Sequence, residues 1–408
     1  MLSALVLLCL LFTWALVSDR MAHWSITAPI AFVVAGVVLA GGKNPAVPFS
    51  LEAHSFKVLV EVVLAVLLFV DATEAREYSY LHRSVGDNRL LGAALPASVA
   101  LATLLGALLF PGTNWWLLAV AALVVMPIDL APIAGLLRDT RVPLRVRAAL
   151  NIEGGFNDGL ISPLFLFCVA NLATAEGGTF TALVLSALKG AVLAVAIGSL
   201  VGLAAAWLVR RVHDVGWAHP AGLRTAALTL PFLTYATASL AGGNGFVAAF
   251  VAGLWYATTA EAVGHHNLGL ADEASQLMSL AVWFILGKIA ADEFAHGVSW
   301  RVVVYALLAL TLARFLPVWV ALSGTGFSTA ERSTIAWIGS RGVTSIVFAL
   351  LAYIGLPHDS GTFIVHVMCA TLLLSVVLHG ITQEPIARWF ARHPQHADEP
   401  GSRSGAGG

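Results

Sequence analysis

NIEGGFNDGLISP, residues 151–163, sets two carboxylates and a carboxamide inside an apolar run that extends over 147–172. A charge in a membrane-crossing helix costs at least a few kcal/mol, so each one needs a reason. Glu153 and Asn157 are four apart and share one helix face. Asp158 comes next, rotated by about 100°. Gly154, Gly155 and Gly159 thin the helix and let a second backbone approach. A helix start, with Asn151 as cap and Glu153 in the first turn, accounts for Glu153. It does not account for Asp158, which becomes the leading functional candidate.

Composition agrees with a lipid solvent. Of 408 residues, 11% are charged and 59% are hydrophobic. A soluble domain carries about 25% charged residues. A soluble enzyme of two or three domains is excluded. The formal net charge of −1 offers no basic field for nucleic acid. Cys9, Cys168 and Cys369 lie in apolar runs and read as small core residues. No cofactor is indicated. The N-terminal run meets its first charge at Asp19 and lacks a positive leader, so it reads as a first span and not a cleaved signal.

Apolar runs fall near 2–17, 24–41, 55–72, 90–110, 115–137, 147–172, 179–209, 223–241, 245–262, 273–290, 301–323, 332–354 and 362–382. This predicts an all-α polytopic membrane protein of about thirteen transmembrane helices. The 179–209 run is long enough to be tilted or broken. With the N-terminus outside and the C-terminus cytoplasmic, fifteen basic residues fall in cytoplasmic segments and three outside. Trp24, Trp115, Trp116, Trp217, Trp300 and Trp389 fall near the predicted interfaces. Residues 1–392 form the membrane domain, and 393–408, ending GSRSGAGG, read as a disordered cytoplasmic tail.

Two further segments carry charge into the membrane. In MPIDLAPI, residues 126–133, Asp129 stands between Pro127 and Pro132. Each proline removes a helical hydrogen bond and frees a carbonyl. A broken span with free carbonyls and a carboxylate outlines a cation site. In IGSRGVTS, residues 338–345, Arg341 lies between two glycines. Arginine keeps its charge and needs a buried anion. Glu153 is the most economical partner, which leaves Asp158 free to titrate. Asp71 ends the run EVVLAVLLFVDATE and is a candidate site-lining residue or a helix-end marker. Glu61 reads as a pairing or cavity residue, Lys288 and Arg314 as structural or snorkelling, and His366 and His379 as hydrogen-bonded packing residues.

NIEGGFNDG resembles the Glu-Ser-x-x-Asn-Asp signature of NhaP-type sodium/proton antiporters, bacterial relatives of the animal sodium/hydrogen exchangers. MPIDLAPI falls where that family carries Thr-Asp-Pro in an unwound helix. GSRGVTSIVF is similar to its Gly-x-Arg-Gly segment, and SVVLHGITQEP to its closing helix. The resemblance implies two inverted repeats with broken crossing helices, a mobile core and a dimerisation domain. It implies a homodimer in the bacterial inner membrane that exchanges Na+, with K+ or Li+ as alternatives, for H+. Asp158 would bind cation and proton in competition, with Asp129 in the site. Asn157 would mark electroneutral exchange, and Glu153 and Arg341 would form the core ion pair. The pattern is departed from at Ile128, Leu130 and Gly154, two of which remove hydroxyl ligands. A potassium-selective antiporter or a cation channel could use the same residues. An intramembrane aspartyl protease would need Asp129 and Asp158, but no Gly-x-Gly-Asp motif accompanies them.

Overall fold

The structure is a computed structural model that describes residues 2–23, 27–42, 45, 54–82, 85–173, 180–259, 268–295 and 297–393. Among these residues each apolar run forms one helix or one broken pair. They are α1 (Leu2–His23), α2 (Ala28–Ala40), α3 (His54–His82), α4 (Gly86–Leu109), α5a (Trp115–Val125) with α5b (Ala134–Arg138), and α6 (Leu144–Ala173). Then follow α7 (Phe180–Asp214), α8 (Pro220–Leu240), α9 (Gly245–Tyr256), α10 (Gly269–Phe294), α11 (Trp300–Ala321), α12a (Thr329–Trp337) with α12b (Val343–Gly355), and α13 (His358–Arg392). Helix α7 runs 35 residues without a break. That is about 52 Å against a hydrocarbon core of about 30 Å, so it tilts or projects. The tail beyond His393 and Trp24 lie outside the described residues.

One pattern occurs twice. Helices α4–α6 and α11–α13 each comprise an irregular long helix, a broken helix and a long helix with buried polar groups. The irregularity is a π turn at Leu90–Ala94 in α4 and an interruption at Thr311 in α11. Corresponding members are seven helices apart, so an odd number of crossings reverses the second unit. Local chemistry sets the half-helix starts. Asn114 accepts from the Trp116 N–H at 2.8 Å and starts α5a. Ser328 and Glu331 form a capping box that starts α12a.

The core lies where α5a, α12b and α13 meet α3 and α6, with Val120, Leu123, Phe348 and Met368 buried. Phe165 and Phe348 stack at 4.6 Å. A second cluster gathers Ile133, Leu150, Val318, Ile335 and Phe390 at the arginine-rich end. Helices α2 and α10 touch backbone to backbone: a Cβ on Gly36 would strike the Phe284 carbonyl, and one on Gly287 that of Val33. Outward faces are apolar, with Phe12 and Leu16 on α1 and Leu188, Leu200 and Trp207 on α7 exposed. Cys9 is exposed on this lipid-type face of α1, against the core position expected, whereas Cys168 and Cys369 are buried. Trp115, Trp217 and Trp300 are exposed near helix ends, as an aromatic belt requires.

Charges at the arginine-rich end tie the two repeats together. Arg145 on α6 grips the fully buried carboxylate of Glu331 on α12a with two nitrogens. Between α5b and α6, Arg141 bonds Asp139 and reaches Glu384 on α13 at 2.9 Å. The hydrogen bond from Arg141 holds the Asp139 carboxyl below the usual carboxylate range. Asp139 therefore stays ionised through neutral pH. What this tether contributes is present above the ordinary carboxylate pKa of about 4 and fades as pH falls through the depressed value.

Candidate functional site

The two broken helices cross at their breaks, and each supplies what the other's ends lack. Their backbones pair through the Asp129 N–H and the Ser340 carbonyl at 2.8 Å, and the Ser340 hydroxyl donates to the Asp129 carbonyl. The Asp129 carboxylate caps two helix starts at once. Oδ2 accepts from the Val343 N–H of α12b at 2.9 Å, and Oδ1 from the Ala131 N–H at 2.8 Å. The Arg341 side chain closes the other pole. It donates to the Met126 and Pro127 carbonyls at the end of α5a, where a cation offsets the helix dipole. Gly342 is required here, because a Cβ would overlap the Asp129 carboxylate.

Asn157 and Asp158 on α6 each reach a different broken helix. Asn157 Nδ2 donates to the Ile128 carbonyl at 3.3 Å. Asp158 Oδ2 accepts from the Thr344 hydroxyl. Both residues are buried, and Asn157 Oδ1 and Asp158 Oδ1 have no hydrogen-bond partner among the described residues. Buried acceptors are rarely left so. An anionic oxygen and an amide oxygen from adjacent residues, each next to a broken helix, are the donor types that suit a dehydrated monovalent cation. Asp71 lies inside α3 and not at its end, and its carbonyl oxygen is 3.0 Å from where a Cβ on Gly155 of α6 would stand.

The ion pair differs from expectation. Glu153 is held by Arg314 of α11, at 2.6 Å to Nη1 and 2.9 Å to Nη2, and not by Arg341. Arg314 also donates to the Ile335 and Ile338 carbonyls at 3.2 and 3.0 Å, at the end of α12a. Of the two expected roles, structural or snorkelling, burial excludes the second: Arg314 is 3% exposed. Arg341 instead points its Nη1 at the carbonyls of α5a, and neither its Nε nor its Nη2 reaches a partner among the described residues. Gly339 lets Arg314 through, since a Cβ there would overlap its guanidinium. The helix-start alternative for Glu153 also fails. Helix α6 begins at Leu144, and Asn151 donates to the Arg147 carbonyl at 2.8 Å within the helix.

His379 is a buried hydrogen-bonded residue, as expected. Its Nε2 faces the Trp337 carbonyl at 3.1 Å. Nδ1 faces both the hydroxyl and the carbonyl of Ser375 at 3.0 Å, and that hydroxyl oxygen accepts from the Arg341 N–H at 2.9 Å. One side chain thus braces both ends of the α12 break. His366 pairs with Glu293, Lys288 with Asp292, and Glu61 accepts from the Tyr235 hydroxyl at 2.9 Å.

Two departures from the antiporter pattern meet in space. A Cβ on Gly154 would approach Leu130 Cγ and Cδ1 to 2.9 Å. Leu130 therefore occupies room that a side chain at 154 would need. Gly154→Ser should lower stability by about 1 kcal/mol or somewhat more. Leu130→Ala in the same chain should recover most of that loss, read by thermal unfolding in detergent. Ile128 lines the break with its carbonyl only; its side chain is buried. Sequence reasoning missed Thr344, Ser340 and Arg314 as site residues. A signal for the first two was available: two small hydroxyls stand on either side of Arg341, next to the two glycines.

A sequence profile described as "Sodium/hydrogen exchanger, transmembrane" matches residues 4–389. The chain belongs to this family. The exchanger chain is similar to the K(+)/H(+) antiporter NhaP2 of Shewanella sp. (strain ANA-3), 22% identical over 380 residues, covering 92% of this chain and 65% of that protein. It thus spans about 65% of the length of the NhaP2 relatives. It is also similar to the Na(+)/H(+) antiporter NhaH of Halobacillus dabanensis, 23% identical over 383 residues, covering 88% of this chain and 91% of that one. The fold matches that of the sodium proton antiporter MjNhaP1 from Methanocaldococcus jannaschii with a TM-score of 0.72, at 18% identity, over 93% of this exchanger chain and 98% of that one. The protein is a multi-pass membrane protein of the exchanger fold.

Proposed function

We propose that the protein is a secondary active transporter that exchanges a monovalent cation for a proton. The observation that carries this reading is the pair of unpartnered buried oxygens, Asp158 Oδ1 and Asn157 Oδ1, at the crossing of two broken helices. Ionised Asp158 holds the cation; protonated, it loses the charge that attracts it. The two ions then compete for one group, and competition couples their fluxes. Crossing is favoured for the loaded forms, because a bare buried carboxylate is costly. Asp129 is committed to two helix N-termini, so one carboxylate exchanges one charge for one charge and transport is electroneutral. Asp71 lines the approach to Asp158.

Sodium is the first cation to test and potassium the second. Relatives are named for each: NhaP2 for potassium, NhaH and MjNhaP1 for sodium. Helices α4–α6 and α11–α13 form the mobile core, and the remaining helices the dimerisation domain of a homodimer. The excess of basic residues on one side supports a cytoplasmic C-terminus and a location in the inner membrane of a bacterial cell. An imposed Na+ or K+ gradient across proteoliposomes should drive a saturable change in an internal pH dye. The rate should be unaltered by clamping the voltage with potassium and valinomycin in the sodium experiment. A pH change that collapses under the clamp, or a large unsaturable current, would favour the channel reading.

A further inference from the structure

We propose that Thr344 is a cation ligand and sets cation preference at the exchange site; the proposal rests on the antiport reading above. A hydroxyl has one proton and two lone pairs. The Thr344 proton is committed to Asp158 Oδ2, and among the described residues none donates to Thr344 Oγ1. Its lone pairs are therefore available. The side chain is 5% exposed and is the second residue of α12b, whose first N–H is pinned by Asp129. Position and orientation are thus held by the broken-helix crossing and not by a loop.

The site needs a neutral oxygen from this direction. Residues 128 and 154 are isoleucine and glycine and bring no side-chain oxygen. Asp158 Oδ1 and Asn157 Oδ1 both come from α6. A cation seated against them from one side gains coordination from α12b through Thr344 Oγ1, the hydroxyl already held against Asp158. Coordination by an oxygen on α12b also makes cation loading bridge α6 and the second repeat. The number and spacing of such oxygens discriminates between ions of equal charge and different radius.

The test compares Thr344→Val, which keeps the branched shape, with Thr344→Ser, which keeps the oxygen. In proteoliposomes, Thr344→Val should raise the half-saturating Na+ concentration about tenfold, the size of one lost charge-assisted contact. Its maximal rate should stay within about threefold, and the ratio of half-saturating Na+ to K+ should change. Thr344→Ser should restore the native values. Thr344→Ala provides a second removal of the oxygen if the valine variant does not fold. Cation-induced thermal stabilisation of the purified protein gives a readout without transport; it should weaken in Thr344→Val and return in Thr344→Ser. Native half-saturation for every cation in both the valine and alanine variants would overturn the proposal and leave antiport standing. A native protein that exchanges no cation for protons would overturn both.

Discussion

Asp158→Asn yields a folded protein with cation-coupled proton exchange reduced at least about 100-fold. The substitution is nearly isosteric, and the amide oxygen still accepts from the Thr344 hydroxyl. What is lost is the charge. A neutral amide neither attracts a monovalent cation strongly nor binds and releases a proton near neutral pH, so both halves of the competition disappear together. The structure also predicts what happens to stability. Asp158 is buried, and its Oδ1 has no donor among the described residues. Removing a buried charge that lacks an ion-pair partner relieves desolvation, so the variant should melt no lower than the native protein. Dye-detected exchange in proteoliposomes and thermal unfolding in detergent measure the two effects on the same preparation. Native exchange by the variant would remove Asp158 from the mechanism. Loss of exchange with a marked fall in stability would instead assign it a structural role.

The parts of this architecture that depend on one helix were legible in the sequence. Runs of apolar residues and the two prolines around Asp129 report local conformation, and the helices and the break at Asp129 fall where they indicate; the break at Arg341 divides what reads as one run over 332–354. The placement of Asn157 and Asp158 within α6 follows from the same local reading. What was not legible is which long side chain crosses to which helix. Glu153 can be reached by any buried guanidinium within a side chain's length, and sequence separation carries no information on that distance. Arg341 was the nearer choice by motif; Arg314 wins because the geometry of the crossing assigns Arg341 to the Met126 and Pro127 carbonyls. The same limit hid Thr344, whose hydroxyl becomes meaningful only once α12b lies against α6.

Breaking the buried ion pair should be the largest single perturbation of stability. Glu153 and Arg314 are 1% and 4% exposed at their side chains, and the two nitrogens of one guanidinium meet the two oxygens of one carboxylate. Removing one partner strands the other in a low-dielectric interior, at a cost of about 3–5 kcal/mol. Arg314→Met and Glu153→Gln should each unfold the protein at markedly lower temperature or denaturant. The double variant Glu153→Gln with Arg314→Met leaves no buried charge at this point and should regain much of the loss, a coupling of about 2 kcal/mol or more. Arg341→Met should also destabilise, because it leaves the end of α5a uncapped. Its coupling to Glu153 should be clearly smaller, since no hydrogen bond joins the two. A thermodynamic cycle in which Glu153 couples more strongly to Arg341 than to Arg314 would restore the pairing expected from the motifs. The cycle is informative because both arginines are buried and both single losses are costly, so only the non-additive part distinguishes a partner from a neighbour. The strong coupling should survive high salt, as screening by mobile ions does not reach a pair that water does not reach.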